Sequence, residues 1–223
     1  MKIGTLTIGQ SPRLDIIQEL QTILGARVKI IEKGALDGLT LEEVKKLYPQ
    51  DHEEVLITRM RDGTEIKIAE KNIVERLRKC IADFQEEPVE LIILLCTGEF
   101  PEIESKKVIL RPDRIVSPVV RGILDRGKIG VLVPTPDQIP GTQKKWGKPH
   151  LDVVAEAFSP YTGDEEELKT KSYKLKEANI DLVILDCLGY GNGIKKIVRK
   201  ITRKPVLLPR AMIAKVAKEM LAI

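Results

Sequence analysis

Two of the three cysteines stand in matching company, and thiols are groups that take up and return protons near neutral pH. Val89-Glu90-Leu91-Ile92-Ile93-Leu94-Leu95-Cys96-Thr97-Gly98-Glu99 aligns without a gap on Ile180-Asp181-Leu182-Val183-Ile184-Leu185-Asp186-Cys187-Leu188-Gly189-Tyr190. Each stretch is a continuous run of Leu and β-branched residues, of the length and character of a buried parallel strand. Each run ends in a cysteine with a glycine two residues on. Ligands of open α/β sheets bind beyond the carboxyl ends of the strands. The sequence therefore puts one thiol at each of two equivalent strand ends. Cys80, in the helical run Asn72–Phe84, reads as a packing residue.

The elements around these strands repeat as well. Lys2-Ile3-Gly4-Thr5-Leu6-Thr7 returns as Lys128-Ile129-Gly130-Val131-Leu132-Val133, and Val108-Ile109-Leu110 returns as Val206-Leu207-Leu208, in the same order along the chain. Helical runs alternate with the strands, so each half reads as a parallel, doubly wound α/β sheet. The first half is longer between its first strand and its cysteine. The surplus falls between Leu36 and Ala69, where Thr40 and Glu43 make a capping box and Asp62-Gly63 marks a hairpin. A duplicated pair implies a pseudo-twofold axis, with equivalent strand ends expected to face one another across a cleft. The first strand runs into Gly9-Gln10-Ser11-Pro12-Arg13, a strand–turn–helix start. There Ser11 is placed to cap, Pro12 suits the first helical position, and Arg13 can add a fork to an anion held by free N–H groups; the other reading is a well-capped helix with a solvated arginine. Pro134 to Pro149 reads as a long loop whose Gln143-Lys144-Lys145-Trp146 segment is either a lid or a basic surface stretch with a packed indole. Arg111, Arg114 and Arg210 follow equivalent strands, and any of them can reach the cleft, although arginines at helix starts are more often solvated.

Composition narrows the partners. The chain of 223 residues is 43% hydrophobic and 31% charged, as in ordinary globular proteins, with room for a full core. A net charge of +4 spread along the chain, with 4% aromatic residues, does not suit nucleic acid. No apolar run is long enough for a membrane span, and the N-terminus reads as a strand rather than a signal peptide. Three cysteines in that setting point to the reducing cytoplasm and free thiols. His52 and His150 are too far apart in sequence, and from the cysteines, to suggest a metal box.

Thr7-Ile8-Gly9 with Pro12, Leu39-Thr40-Leu41-Glu42-Glu43-Val44, Leu110 to Ile115, Val131-Leu132-Val133-Pro134, Lys145-Trp146, Asp186 to Tyr190 and Pro205-Val206-Leu207-Leu208 together resemble the AroM family over essentially the whole chain. That family looks like a branch of the aspartate/glutamate/hydantoin racemase superfamily. The resemblance implies two pseudo-symmetric α/β/α lobes with parallel sheets. It also implies a crossing of the last helix, so that residues 1–112 and 211–223 form one lobe and 113–210 the other. It further implies a small carboxylate as ligand, with Ser11 and Thr97 binding it. Ser11, Arg13, Thr97, Gly98, Leu188, Gly189, Tyr190 and Pro134 make up the expected binding set. The sequence departs from the superfamily pattern at both cysteines: Thr97-Gly98 stands where Asn-Thr is usual, and Leu188 where Thr is usual.

Three readings of the chemistry stay open. Cys96 and Cys187 can act as paired base and acid on a carbon α to a carboxylate, giving a racemase or epimerase without metal or pyridoxal phosphate. Cys187 alone can donate a proton in a decarboxylase-like or isomerase-like reaction. Or the cysteines are small buried residues in a binding or regulatory module without catalysis. A second copy of the chain is admitted as a partner in each.

Overall fold

A computed structural model gives the fold of residues 1–222; Ile223, the end of the segment expected to rejoin the first lobe, lies outside the described residues. The chain forms two compact units, one of Met1–Asp113 with the chain from Ile213 onward, the other of Arg114–Met212.

The N-terminal unit runs β1 (Lys2–Thr7), α1 (Leu14–Leu24), β2 (Lys29–Gly34), α2 (Leu41–Lys45), β3 (Val55–Arg59), β4 (Glu65–Ala69), α3 (Glu70–Gln85), β5 (Leu91–Leu95) and β6 (Val108–Leu110). The second runs from α4 (Pro112–Ile123) through β7 (Gly127–Val133), α5 (Ile139–Trp146), β8 (Leu151–Ala157), α6 (Glu165–Glu177), β9 (Leu182–Leu185), α7 (Asn192–Thr202) and β10 (Val206–Leu207) into α8 (Pro209–Met220). The boundaries between the units fall in the first turn of α4 and within α8.

The sheets are ordered β2-β1-β5-β6 and β8-β7-β9-β10, every pair parallel, so the second repeats the first strand for strand. Register repeats too. Thr7 at the end of β1 lies opposite Leu95, and Leu132 near the end of β7 lies opposite Leu185. Alternation of side chains along a strand puts neighbours on opposite faces. In the second unit Leu132, Val183 and Leu185 join one buried cluster while Val131, Val133 and Ile184 join another, so the sheet is covered on both sides. That is why the cysteine strands read as unbroken apolar runs.

The surplus of the first half is α2 with the antiparallel hairpin β3–β4, Arg59 pairing with Glu65 across the Asp62-Gly63 turn. The Thr40–Glu43 capping box forms as read, each side chain bonding the other's backbone N–H. Two local expectations are corrected. Pro134 to Pro149 is not a loop: a 3-10 turn at Pro136–Gln138 passes into α5, because Pro140 sits in the first helical turn where no N–H is needed. Helix α1 starts at Leu14, after Pro12. Its cap position is Arg13, which makes no side-chain cap, and Glu32 accepts the Arg13 N–H at 2.7 Å instead. Among the described residues no helix is long and apolar enough to cross a membrane.

Candidate functional site at the cysteine strand ends

Cys96 follows β5 directly, and its sulfur accepts the Gly98 N–H at 3.3 Å. Cys187 lies just past β9, and its sulfur accepts the Gly189 N–H at 3.2 Å. The same cysteine-to-glycine contact therefore forms in both units. An N–H directed at sulfur favours the thiolate over the thiol. Both glycines are needed for space. A Cβ at Gly98 would lie 2.8 Å from Leu56 Cδ2 and 3.3 Å from the Cys96 sulfur; one at Gly189 would lie 2.6 Å from the Tyr161 hydroxyl and 2.8 Å from Pro160 Cγ. Cys96 is 8% exposed and Cys187 half-buried. Cys80 packs against the core of the first unit, where burial and the nearby Asp83 and Asp37 push its thiol up.

Each cysteine turn is clamped by an arginine from the end of the next strand. Arg111 donates from Nη1 to the Pro101 carbonyl at 2.9 Å and from Nη2 to the Phe100 carbonyl, and it pairs with Asp113. Arg210 donates from Nε to the Leu188 carbonyl at 2.8 Å and from Nη2 to the Gly189 carbonyl at 2.9 Å. Both are buried, against the expectation of solvated arginines; Arg114 alone of the three is exposed. Five fixed donors let a guanidinium bridge two successive carbonyls, which an ammonium cannot match. The sequence signal was available: both arginines border a proline right after the repeated Val-aliphatic-Leu strand.

The turn after β1 differs from the expected anion cradle. Asp37, beyond β2, fills it: its carboxylate accepts the Ser11 N–H at 2.8 Å, the Ser11 hydroxyl at 2.6 Å and the Gly34 N–H at 2.8 Å. A hydroxyl that donates to a carboxylate has only acceptor capacity left for anything else. Arg13 is likewise engaged, with Asp15 taking its fork at 2.9 and 2.7 Å and Thr7 Oγ1 accepting from Nη1 at 3.1 Å. The hairpin reaches this turn: the Gln10 N–H bonds the Arg59 carbonyl at 3.2 Å, and Arg61 donates to the Ser11 carbonyl at 2.6 Å.

One member of the expected binding set is a core residue: Tyr190 is fully buried in the core of the second unit, with its hydroxyl donated to the Phe158 carbonyl at 2.7 Å. Leu188 is buried as well. Thr97 and Gly98 flank the Cys96 sulfur; Pro134 follows β7 at the matching strand end. Of the two readings of Trp146, lid or packed indole, the structure has the packed indole. The indole is buried and donates to Asp186 Oδ2 at 2.7 Å, while Lys145 Nζ meets both oxygens of the same carboxylate at 2.7 and 2.8 Å. Sequence reasoning missed this buried Asp186–Lys145–Trp146 group, which ties α5 to the end of β9.

Duplicated parallel sheets with a cysteine at each equivalent strand end define the racemase-like α/β fold, and solved structures bear out the fold. The chain is similar to the allantoin racemase of Klebsiella pneumoniae (12% identity, TM-score 0.64, 100% of this chain and 88% of that one). It is also similar to the maleate isomerase Iso of Pseudomonas putida S16 (10%, 0.62, 100% and 93%) and to the glutamate racemase of Francisella tularensis solved with D-glutamate (17%, 0.61, 99% and 81%). No curated protein sequence matches it. The chain belongs to the AroM family, whose model, described as AroM protein, matches residues 3–221.

Proposed function

We propose that this AroM protein binds a small carboxylate and moves a proton at the carbon α to it, with Cys96 and Cys187 as paired base and acid and without metal or pyridoxal phosphate. One thiolate takes the α-proton, the C–H electron pair passes into the carboxylate as an enediolate, and the other thiol returns a proton to the carbon. Each turnover leaves thiol and thiolate exchanged. The observation that carries this reading is the repeated contact of a cysteine sulfur with the N–H of the glycine two residues on, at equivalent strand ends of both units. Structures of the same fold whose names are racemases and an isomerase support it. In this reading the ligand carboxylate is held by Thr97 and backbone N–H groups rather than by Ser11, whose proton is given to Asp37.

The same engagement of Ser11, with the buried Leu188 standing after Cys187 where the superfamily pattern has a threonine, favours as second reading a binding module without catalysis. Incubation with a panel of amino and hydroxy acids in deuterium oxide, followed by proton NMR, separates the two. Exchange of an α-proton that disappears in Cys187→Ala and in Cys96→Ala supports proton transfer. Binding of a panel member, seen as a raised melting temperature, with no exchange removes it in favour of the module.

A further inference from the structure

We propose that Arg210 is a positioning residue that makes Cys187 the more acidic of the two strand-end thiols, acting through the Leu188–Gly189 peptide group. That one peptide unit is engaged at both ends: its carbonyl accepts from Arg210 Nε at 2.8 Å, and its N–H donates to the Cys187 sulfur at 3.2 Å. A cation on the carbonyl polarises the amide and strengthens its N–H as a donor, and chained hydrogen bonds reinforce each other in a buried setting. Arg210 is 2% exposed, so water does little to screen it.

The first unit has the parts in a different register. The amide that reaches the Cys96 sulfur belongs to the Thr97–Gly98 peptide, whereas Arg111 holds the carbonyls of Phe100 and Pro101, beyond that peptide. The two cysteine turns are thus alike in the sulfur contact and unlike in which peptide the arginine bonds.

The other charged and titratable groups around the Cys187 turn work less directly. Asp186, next in the chain, opposes a thiolate, but its carboxylate is bonded by Lys145 and the Trp146 indole. The Tyr161 hydroxyl lies beside Gly189 and donates no charge in its neutral form. The turn then runs into α7, which begins at Asn192 and whose N-terminal dipole favours negative charge; an irregular stretch, not a helix, follows Cys96.

The consequence for chemistry rests on the proton-transfer reading: Cys187 is the first of the pair to ionise, so abstraction starts at Cys187. The test needs no substrate, so its failure is distinct from failure of that reading. Iodoacetamide labelling of the full-length protein across pH 5 to 11, resolved by peptide mass spectrometry, gives a midpoint for each cysteine regardless of its absolute accessibility. In the unaltered protein the Cys187 midpoint is expected to lie below that of Cys96. Arg210→Gln raises the Cys187 midpoint by about one unit, roughly tenfold less thiolate at neutral pH, and leaves Cys96 in place. Arg210→Lys, which keeps the charge, restores most of the shift, and Arg111→Gln moves neither midpoint. Circular dichroism verifies folding of each variant. A Cys96 midpoint at or below that of Cys187 in the unaltered protein overturns the proposal whatever the variants do, as does a folded Arg210→Gln with an unmoved Cys187.

Discussion

At the end of β5 and at the end of β9 a cysteine sulfur receives the N–H of the glycine two residues on, yet the two turns are surrounded by different structure. In the first unit the inserted hairpin lies against the turn after β1, and Leu56 of β3 lies beside Gly98. In the second, no hairpin is inserted, and α5 is tied down at the strand end by Asp186. Each unit also buries a carboxylate near its strand ends, but of different kinds. Asp37 is about a third exposed and held by neutral donors together with a longer contact to Arg61; Asp186 is nearly closed off and held by a lysine and an indole. Duplication preserved the strand and its sulfur contact, which depend on local sequence. It did not preserve the supports, which depend on what else packs there.

The sharpest break of this comparison is at the two carboxylates. Asp186→Ala removes the buried carboxylate that the Lys145 ammonium and the Trp146 indole both bond and is expected to cost about 3 kcal/mol. Asp37→Ala frees donors that water can reach and is expected to cost about 1 kcal/mol. Urea unfolding of both variants measures the difference; equal costs would mean that the two supports are equivalent after all. The glycines come next. Gly189→Ala forces a methyl against a tyrosine hydroxyl and a proline ring, costing about 2 kcal/mol, and Gly98→Ala meets the end of a leucine that can rotate away, costing about 1 kcal/mol. Thermal melts of the pair test that order.

A smaller effect of opposite sign is expected at Thr58 on β3, whose hydroxyl is buried and has no hydrogen-bond partner among the described residues. Thr58→Val should stabilise the protein by about 1 kcal/mol in urea unfolding, since the shape is kept and the desolvated hydroxyl is removed. Smallest is the effect of Cys80. Burial raises its thiol above the ordinary value, so it stays neutral in the folded chain where the unfolded chain already ionises. The stability it contributes is therefore present below the unfolded value and is lost as pH rises above it. Cys80→Ala should flatten the stability profile on the alkaline side, read by denaturation between pH 7 and 10.

Much of the architecture was legible in residue order alone. The parallel strands, the three repeated segments, the capping box at Thr40 and the hairpin at Asp62-Gly63 all rest on patterns spanning fewer than a dozen residues. The candidate site was legible only at its centre. Cys96, Cys187 and the two glycines were found because they repeat. Tyr190 adjoins Cys187 in the sequence, yet the turn after β9 directs it into the core. Ser11 and Arg13 were read as free to hold an anion because Asp37 and Asp15 gave no sign in the sequence of reaching them.

What the sequence by itself determined is where the strands start and stop and that each half ends one of them in a thiol. Hydrophobic periodicity and turn chemistry act between near neighbours, so they can be read from a single chain. What only the tertiary structure decided is which charge stands behind each thiol. Arg111 and Arg210 each stand beside a proline after the repeated strand, one residue out of register, and the first bonds the Phe100 and Pro101 carbonyls while the second bonds the peptide that touches sulfur. A guanidinium at the end of a long side chain reaches carbonyls many residues away, and that choice is made by packing, not by position in the chain.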